Sequence, residues 1–290
     1  MCLLRNIKSF LMQLISGLSS ELLFRIAYIH NRGQLPNLRS PQNLSEILIR
    51  KVLDRELDSI AFLADKYAVR DYVKGRGLDD ILPRLIGVWD NACDVDFNSL
   101  PEKFALKMNF GAGMNIICPD KSKIQEEEVK EQLEKWLESG KSGYAEYHYD
   151  LIPRKIICEE WIDDGSGCFP TDYKFMCING KVHCVLVCHG RGSDEASFFP
   201  YDVVTWKPLQ EYYKVKLHDT VPAPNNIKQM VEIAERLSEG MDFVRVDLYS
   251  NGTSVWFGEM TLTPSGCILH RWTDYAIEQM GGIYKKQSIE

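Results

Sequence analysis

Two apolar runs, 243–249 and 255–262, flank the polar stretch Ser250-Asn251-Gly252-Thr253-Ser254. Nothing else in the sequence constrains the fold so tightly, because the register of a hairpin assigns a face to every side chain in it. A two-residue Asn251-Gly252 turn, the commoner form, sets Asp247 opposite Trp256 and Arg245 opposite Gly258, mixing charged and apolar groups on both faces. A three-residue loop, 251–253, instead pairs Leu248 with Trp256, Val246 with Gly258 and Val244 with Met260, and one face becomes wholly apolar. Burial favours the second register, so the connection is expected to hold an odd number of residues or a bulge. The other face then carries Arg245, Asp247, Phe257, Glu259 and Thr261. Two carboxylates beside an arginine suit a hard cation such as Mg²⁺, with the guanidinium turned to phosphate. The bland alternative is a structural Arg–Asp–Glu network.

Similar β-rich runs separated by glycine turns fill the chain after Pro101, at 103–108, 114–118, 155–162, 172–178, 182–189, 243–249 and 254–262. Helical patterns interrupt them at 125–138 and 225–239. The first hundred residues read as helical, with a helix from Ser45 through Leu57 and another over 59–73, ended by Gly75 and Gly77. The expected organisation is α+β: a helical region at 1–100, a small lobe at 101–162 and a larger one at 163–290.

The first candidate binding element is the short strand ending in Lys107, followed by Asn109-Phe110-Gly111-Ala112-Gly113-Met114. Backbone N–H groups of a loop containing Gly111 and Gly113 can cradle phosphates while the lysine neutralises them, although a plain turn has the same appearance. It is not a P-loop, because the lysine precedes the glycines and no Gly-Lys-Ser/Thr follows. The second is the strand end Cys158-Glu159-Glu160-Trp161-Ile162-Asp163-Asp164, which can offer backbone groups to an adenine edge and carboxylates to a ribose. The third is Lys174 in an otherwise apolar strand, where a charge demands a partner or an anionic ligand.

Charge and cysteine content narrow the setting. Thirty-four basic against 41 acidic residues give a net charge of −7, and no stretch gathers the basic and aromatic groups that nucleic acid requires. The nine cysteines lack paired short spacings and read as thiols in a reducing compartment, the cytoplasm. Cys184 and Cys188 share a strand face but stand roughly 13 Å apart along it, too far for one zinc. Leu4, Ile7, Leu11, Leu14, Ile15 and Leu18 form an amphipathic helical stripe, too short and interrupted to span a bilayer. It is expected to dock on the protein's own core, with an interfacial membrane contact as the alternative.

The ordered series Lys107, glycine loop, Glu159-Glu160, Lys174, Arg245-x-Asp247 and Glu259 resembles the ATP-grasp superfamily, whose ligases hold ATP between two α+β lobes. Over roughly residues 40–282 the chain is similar to the TupA-like ATP-grasp group. The resemblance runs through Ala64-Asp65-Lys66-Tyr67-Ala68-Val69-Arg70, Leu85-Ile86-Gly87-Val88-Trp89-Asp90, the Lys107 loop, 245–249 and Gly258-Glu259-Met260-Thr261. Thr261 stands where the D-alanine:D-alanine ligase pattern has Asn, as is usual in this group. The resemblance implies an ADP-forming ligase that uses ATP and Mg²⁺ to join a carboxylate to an amino compound, in surface-polysaccharide or teichuronopeptide-type biosynthesis. It assigns Lys107 and Lys174 to phosphates, Gly111 and Gly113 to the covering loop, Glu159, Glu160 and Ile162 to the adenine hinge, and Asp163 or Asp164 to the ribose. Asp247 and Glu259, with Thr261, fall to the metal. Arg245 falls to the acyl phosphate, and Arg191 is a second candidate for that charge. Lys66, Arg70, Arg84, His270 and Arg271 are available to an acidic substrate or are plain surface charges.

Two rival readings remain at this stage. Asp94-Val95-Asp96 matches the Asp-x-Asp motif of metal-dependent nucleotide-sugar glycosyltransferases, although no Rossmann-like half precedes it. A degenerate module that only binds a nucleotide or a partner is the non-enzymatic alternative.

Overall fold

The structure, a computed structural model, describes residues 19–140, 146–163, 170–190 and 196–286. The amphipathic stripe at 4–18, Asp164 and Arg191 lie outside them. Two antiparallel sheets organise the chain. The smaller has strand order β1-β4-β2-β3, built from β1 (Leu85–Trp89), β2 (Phe104–Met108), β3 (Asn115–Cys118) and β4 (Ile156–Glu160). The larger runs β7-β6-β5-β8-β9, from β5 (Asp172–Ile178), β6 (Lys181–His189), β7 (Ser197–Tyr201), β8 (Phe243–Ser250) and β9 (Val255–Thr261). The α+β expectation holds.

The sequence boundaries need one correction, since β1 comes from the region expected to be helical and forms an edge of the small sheet against β4. Its five residues are all half-buried, so neither an apolar run nor a clean alternation marked it. The remaining helices of that region are α1 (Ser20–Arg32), α2 (Leu44–Leu53) and α3 (Val69–Gly75). They are not a separate body: α2 packs against α6 (Asp274–Lys286) of the C-terminal part, and the buried apolar side chains form one continuous core through both sheets.

Each remaining helix buries one stripe. In α5 (Ile227–Ser238), Met230, Ile233, Ala234 and Leu237 recur at helical spacing and lie on β5, β6 and β8. The opposite face of the same strands, which carries Lys174 and Asp247, is thereby left for chemistry. On the small sheet α4 (Glu126–Leu137) seats Leu133 against β2.

The single helix expected over 59–73 is broken in two, a 3₁₀ segment Asp58–Ala64 and then α3, with Asp65 extended between them. The Asp65 carboxylate accepts the Tyr67 and Ala68 N–H groups at 2.8 and 3.2 Å and the Asn109 side-chain amide at 2.9 Å. A short acceptor at a helix start competes with continued helix in this way. The break carries Lys66 to the glycine loop.

Candidate active site between the two sheets

On the small sheet the ladder places Ala105 opposite Glu159. Lys107, two residues further along β2, therefore shares its face. The ammonium of Lys107 lies 2.7 Å from Glu159 Oε2, and Arg70 Nη1 lies 2.7 Å from Oε1. Arg70 also donates to the Pro83 carbonyl at 2.7 Å. All three side chains are nearly out of water, as a buried charge requires of its partners. Glu160 accepts the Arg84 N–H at 2.9 Å, and Ile162, half-buried, and Asp163, exposed, follow past the strand end.

Beyond Lys107, the fully buried Asn109 fastens the base of the glycine loop. Its amide donates to Asp65 and Pro153, and its side-chain oxygen receives the Lys155 N–H. Gly111 and Gly113 have φ of 68° and 75°, the left-handed region where glycine is favoured. Lys66 Nζ donates to the Gly111 carbonyl at 2.8 Å and lies 3.7 Å from Glu259 Oε2 on the large sheet. One lysine thus spans both halves of the site.

The β8–β9 hairpin settles the register differently from either sequence alternative. Its connection has four residues, 251–254, and a bulge shifts the pairing: Ser250 faces Val255, Tyr249 faces Trp256 and Leu248 faces Phe257, but Asp247 faces Glu259, Val246 faces Met260 and Arg245 faces Thr261. The extra residue is Gly258. A Cβ there would stand 2.9 Å from the Asp247 carbonyl oxygen and 3.0 Å from the Tyr249 ring, so only glycine fits. The expected bulge is present, with different pairs from those derived above. Phe257 lies opposite Leu248 on the apolar face, a correction to its expected place, while Arg245, Asp247, Glu259 and Thr261 do share the other.

That face is densely paired. Asp247 receives Arg245 Nε at 2.6 Å and Nη2 at 2.7 Å, and Lys174 Nζ at 2.5 Å. Lys174 also lies 2.6 Å from Asp172, two residues back on β5. Arg245 Nη2 reaches Glu259 at 3.0 Å and the Thr261 hydroxyl oxygen at 2.9 Å, and that hydroxyl donates to Glu259 at 3.2 Å. Asp172 and the placement of Lys66 were missed in sequence. An acid two residues from Lys174 was the available signal for the first.

The electrostatics follow from crowding of opposite charges out of water. Burial pushes the Glu259 carboxyl up, but Lys66, Arg245 and Lys174 outweigh it and hold it down at about 2. Lys174 is pulled down by burial and pushed up further by Asp172 and Asp247, so its net shift is upward. Burial moves Lys66 the other way, below the ordinary lysine range, with Glu259 opposing and Lys107 adding to the shift.

Whether the site suits magnesium is a question of donors. Asp247 and Glu259 offer hard oxygens from directly opposed ladder positions. Among the described residues no group of three or more His, Cys, Asp or Glu side chains is arranged to hold a metal alone. Magnesium needs no such cage, because one or two carboxylates and the phosphates of a nucleotide complete its shell. The residues fit that mode of binding. The Asp-x-Asp pair does not: Asp94 accepts the Asn91 side-chain amide and Asp96 caps a 3₁₀ turn, both on the exposed surface. Cys177, Cys184 and Cys188 are buried thiols.

No curated protein matches the sequence. Among solved structures, the D-cycloserine synthetase DcsG superposes with a TM-score of 0.46 at 12% identity, over 78% of this chain and 71% of its own. The D-alanine–D-alanine ligase of Bacillus anthracis gives 0.46 at 12% identity, over 79% and 68%. The ATP-grasp ligase PsnB gives 0.40 at 12%, over 77% of this chain and 60% of its own. No residue takes a role from these distant likenesses. The model of the TupA-like ATP-grasp family matches residues 44–282, from the first residue of α2 into α6 and so across both sheets and the whole site. The chain belongs to the TupA-like ATP-grasp family.

Proposed function

We propose that the protein is an ATP- and Mg²⁺-dependent ligase that joins a carboxylate to an amine and releases ADP. The observation that carries this reading is the meeting, through Lys66, of the glycine loop with the Asp247–Glu259 face. In the first step a carboxylate oxygen attacks the γ-phosphorus, the β–γ P–O bond breaks and ADP leaves. In the second the amine nitrogen attacks the acyl carbon, phosphate leaves and the nitrogen loses a proton. The protein's part is positioning and charge neutralisation.

Lys107, Lys174 and Lys66 are assigned to the phosphates, with the backbone of Gly111 and Gly113 closing over them. Glu159, Glu160, Ile162 and Asp163 take the nucleoside side. Glu159 acts chiefly by aiming Lys107, since its carboxylate is shared between Lys107 and Arg70. Asp247 and Glu259 would hold Mg²⁺, which supplies positive charge to the phosphates, and Thr261 orients Glu259 through its hydroxyl. Arg245 steadies the negative charge that develops on the acyl group, a role for which Arg191 is a second candidate. The carboxylate is a uronic acid of a surface-polysaccharide precursor or an amino acid.

The test is ADP release from ATP and Mg²⁺ with panels of uronic acids and amino acids. ADP formation that needs both a carboxylate and an amine is expected. Transfer from a nucleotide diphosphate sugar, with no ATP turnover for any pair, would replace this reading with the glycosyltransferase one.

A further inference from the structure

A cleft of about 600 Å³ opens beside β7, at the edge of the large sheet away from β9, and is closed on its other side by the segment 213–222. Its charged and imidazole side chains are Arg271, Lys216, His218, His189 and the single acid Asp219. Lys214 and His270 adjoin these residues in sequence, and both are held below their ordinary ranges. For Lys214 the causes are burial and then Arg32; for His270 they are burial and then Arg271, Lys214 and Arg32. In a chain of net charge −7 the cleft still gathers two fixed cations and two imidazoles against one acid, while Arg32 alongside is paired with Asp274 at 2.5 Å.

The arrangement is also braced. The guanidinium of Arg271 lies 5.4 Å over the centre of the Phe198 ring, a contact that restrains the side chain, and it is also hydrogen-bonded to the Tyr213 side chain, which leaves its other donors for a ligand. The Arg271 carbonyl receives the Lys214 N–H at 2.9 Å, and the bridge between Tyr213 and Trp272 joins the two segments alongside. His189 is tied through Nδ1 to the Thr171 hydroxyl at 2.9 Å.

Its position relates it to the chemistry. Phe198 pairs with Cys188, and Cys188 pairs with Asp172, the partner of Lys174. Opposed residues of an antiparallel ladder share a face, so Phe198 stands on the face that carries Lys174, Asp247 and Glu259. Two strand spacings separate Phe198 from Asp172, roughly 10 Å.

We propose that this cleft binds a remote anionic group of the carboxylate substrate. The substrate is thus an acidic molecule with a second carboxylate or a phosphate remote from the carboxyl that reacts, since three to four strand spacings, on the order of 15–20 Å, lie between Phe198 on β7 and Asp247 and Glu259 on β8 and β9. The identity of the reacting carboxyl rests on the ligase reading; the anion site stands on the cleft itself.

Binding is therefore measured by calorimetry without ATP, on the full chain, with trigalacturonate as the carboxylate probe, glucuronate 1-phosphate as the phosphate probe and maltotriose as the uncharged control. One or both anions should bind and maltotriose should not, and the tighter anion identifies the remote group. Lys216→Ala and Arg271→Gln should each weaken binding by about 10-fold, as loss of one charged hydrogen bond does. Both variants should keep the wild-type melting temperature, and Lys216 is exposed. Absence of anion binding in the wild type, or equal binding in the Lys216→Ala/Arg271→Gln double variant, would overturn the proposal. ADP release assayed in parallel separates the two readings: binding without turnover for any amine counts against the ligase, and turnover without anion binding counts against the cleft.

Discussion

Replacing Glu259 by Gln tests the candidate metal site with its geometry nearly preserved, because the amide oxygen can still accept from Arg245 and Thr261. What is lost is charge. The carboxyl is held down at about 2 in the folded protein, against about 4.3 for an ordinary glutamate, which corresponds to about 3 kcal/mol of differential interaction. The side chain is 31% exposed, so solvent screening reduces this to about 2 kcal/mol. A depressed carboxyl contributes its stability above the unfolded value and loses it as pH falls through the folded one. Wild type should therefore lose about 2 kcal/mol between roughly pH 5 and pH 2 that Glu259→Gln never had, with the two converging at the acid end. Urea unfolding at a series of pH values reads this directly. The functional half uses ATP binding by calorimetry with and without Mg²⁺. Mg²⁺ should tighten ATP binding to the wild type, and the variant should lose most of that gain while its metal-free affinity rises, because one carboxylate fewer faces the phosphates. Parallel pH profiles would refute the pairing argument, and an undiminished magnesium effect would refute the metal assignment.

Other perturbations reach the neighbouring parts. Lys107→Ala should weaken ATP binding by about 10-fold or more, as loss of a charged contact in the ground state does, while Arg70 keeps Glu159 paired and the fold intact; titration with a fluorescent ATP analogue checks it. Gly258→Ala should destabilise the protein by roughly 2 kcal/mol through backbone overlap and abolish the magnesium effect with it, seen by thermal unfolding and calorimetry together. Replacing Asp94 and Asp96 together by Ala should leave ADP formation within about twofold of wild type, as for surface sites in general. Cys93 is exposed and should react with a maleimide in the folded protein, whereas Cys158 and Cys177, each pushed up to about 12 mainly by burial, should react only on unfolding, as mass spectrometry would show.

How much was legible depended on whether a residue's signal was local. The strand over Asp172–Ile178 was readable to the residue, because an apolar run with a turn at Asn179-Gly180 has one good solution. The convergence of Arg245, Asp247, Glu259 and Thr261 was legible from burial alone, although the pairs were not. Periodicity cannot tell a three-residue loop from a four-residue loop with a bulge, since both restore the apolar face. The register turns on Gly258 against the Asp247 carbonyl, a contact between strands. The β1 strand and the Asp65 break were illegible for the same reason. Their stabilising partners, β4 and Asn109, are about 45 residues or more away in sequence.

On the proposed reading, the ion pairs of the site account for acids and bases standing together there rather than apolar groups. On the large sheet Lys174 and Arg245, joined by Lys66 from the other half, face Asp172, Asp247 and Glu259, so positive and negative charges balance. A buried set of this kind adds little to stability over an apolar core of equal volume. Its value lies in exchange. On the proposed assignment, Asp247 and Glu259 would hold magnesium and so give up part of their pairing with Arg245, Lys174 and Lys66, and those cations would be free to pair with the phosphates of the nucleotide. Neither half of the exchange is favourable alone, since a bare metal would meet three protein cations and a bare nucleotide would meet three carboxylates. The geometry therefore favours joint entry of metal and nucleotide. Lys66, with one contact to the Gly111 carbonyl and one to Glu259, is the group through which that exchange reaches the glycine loop.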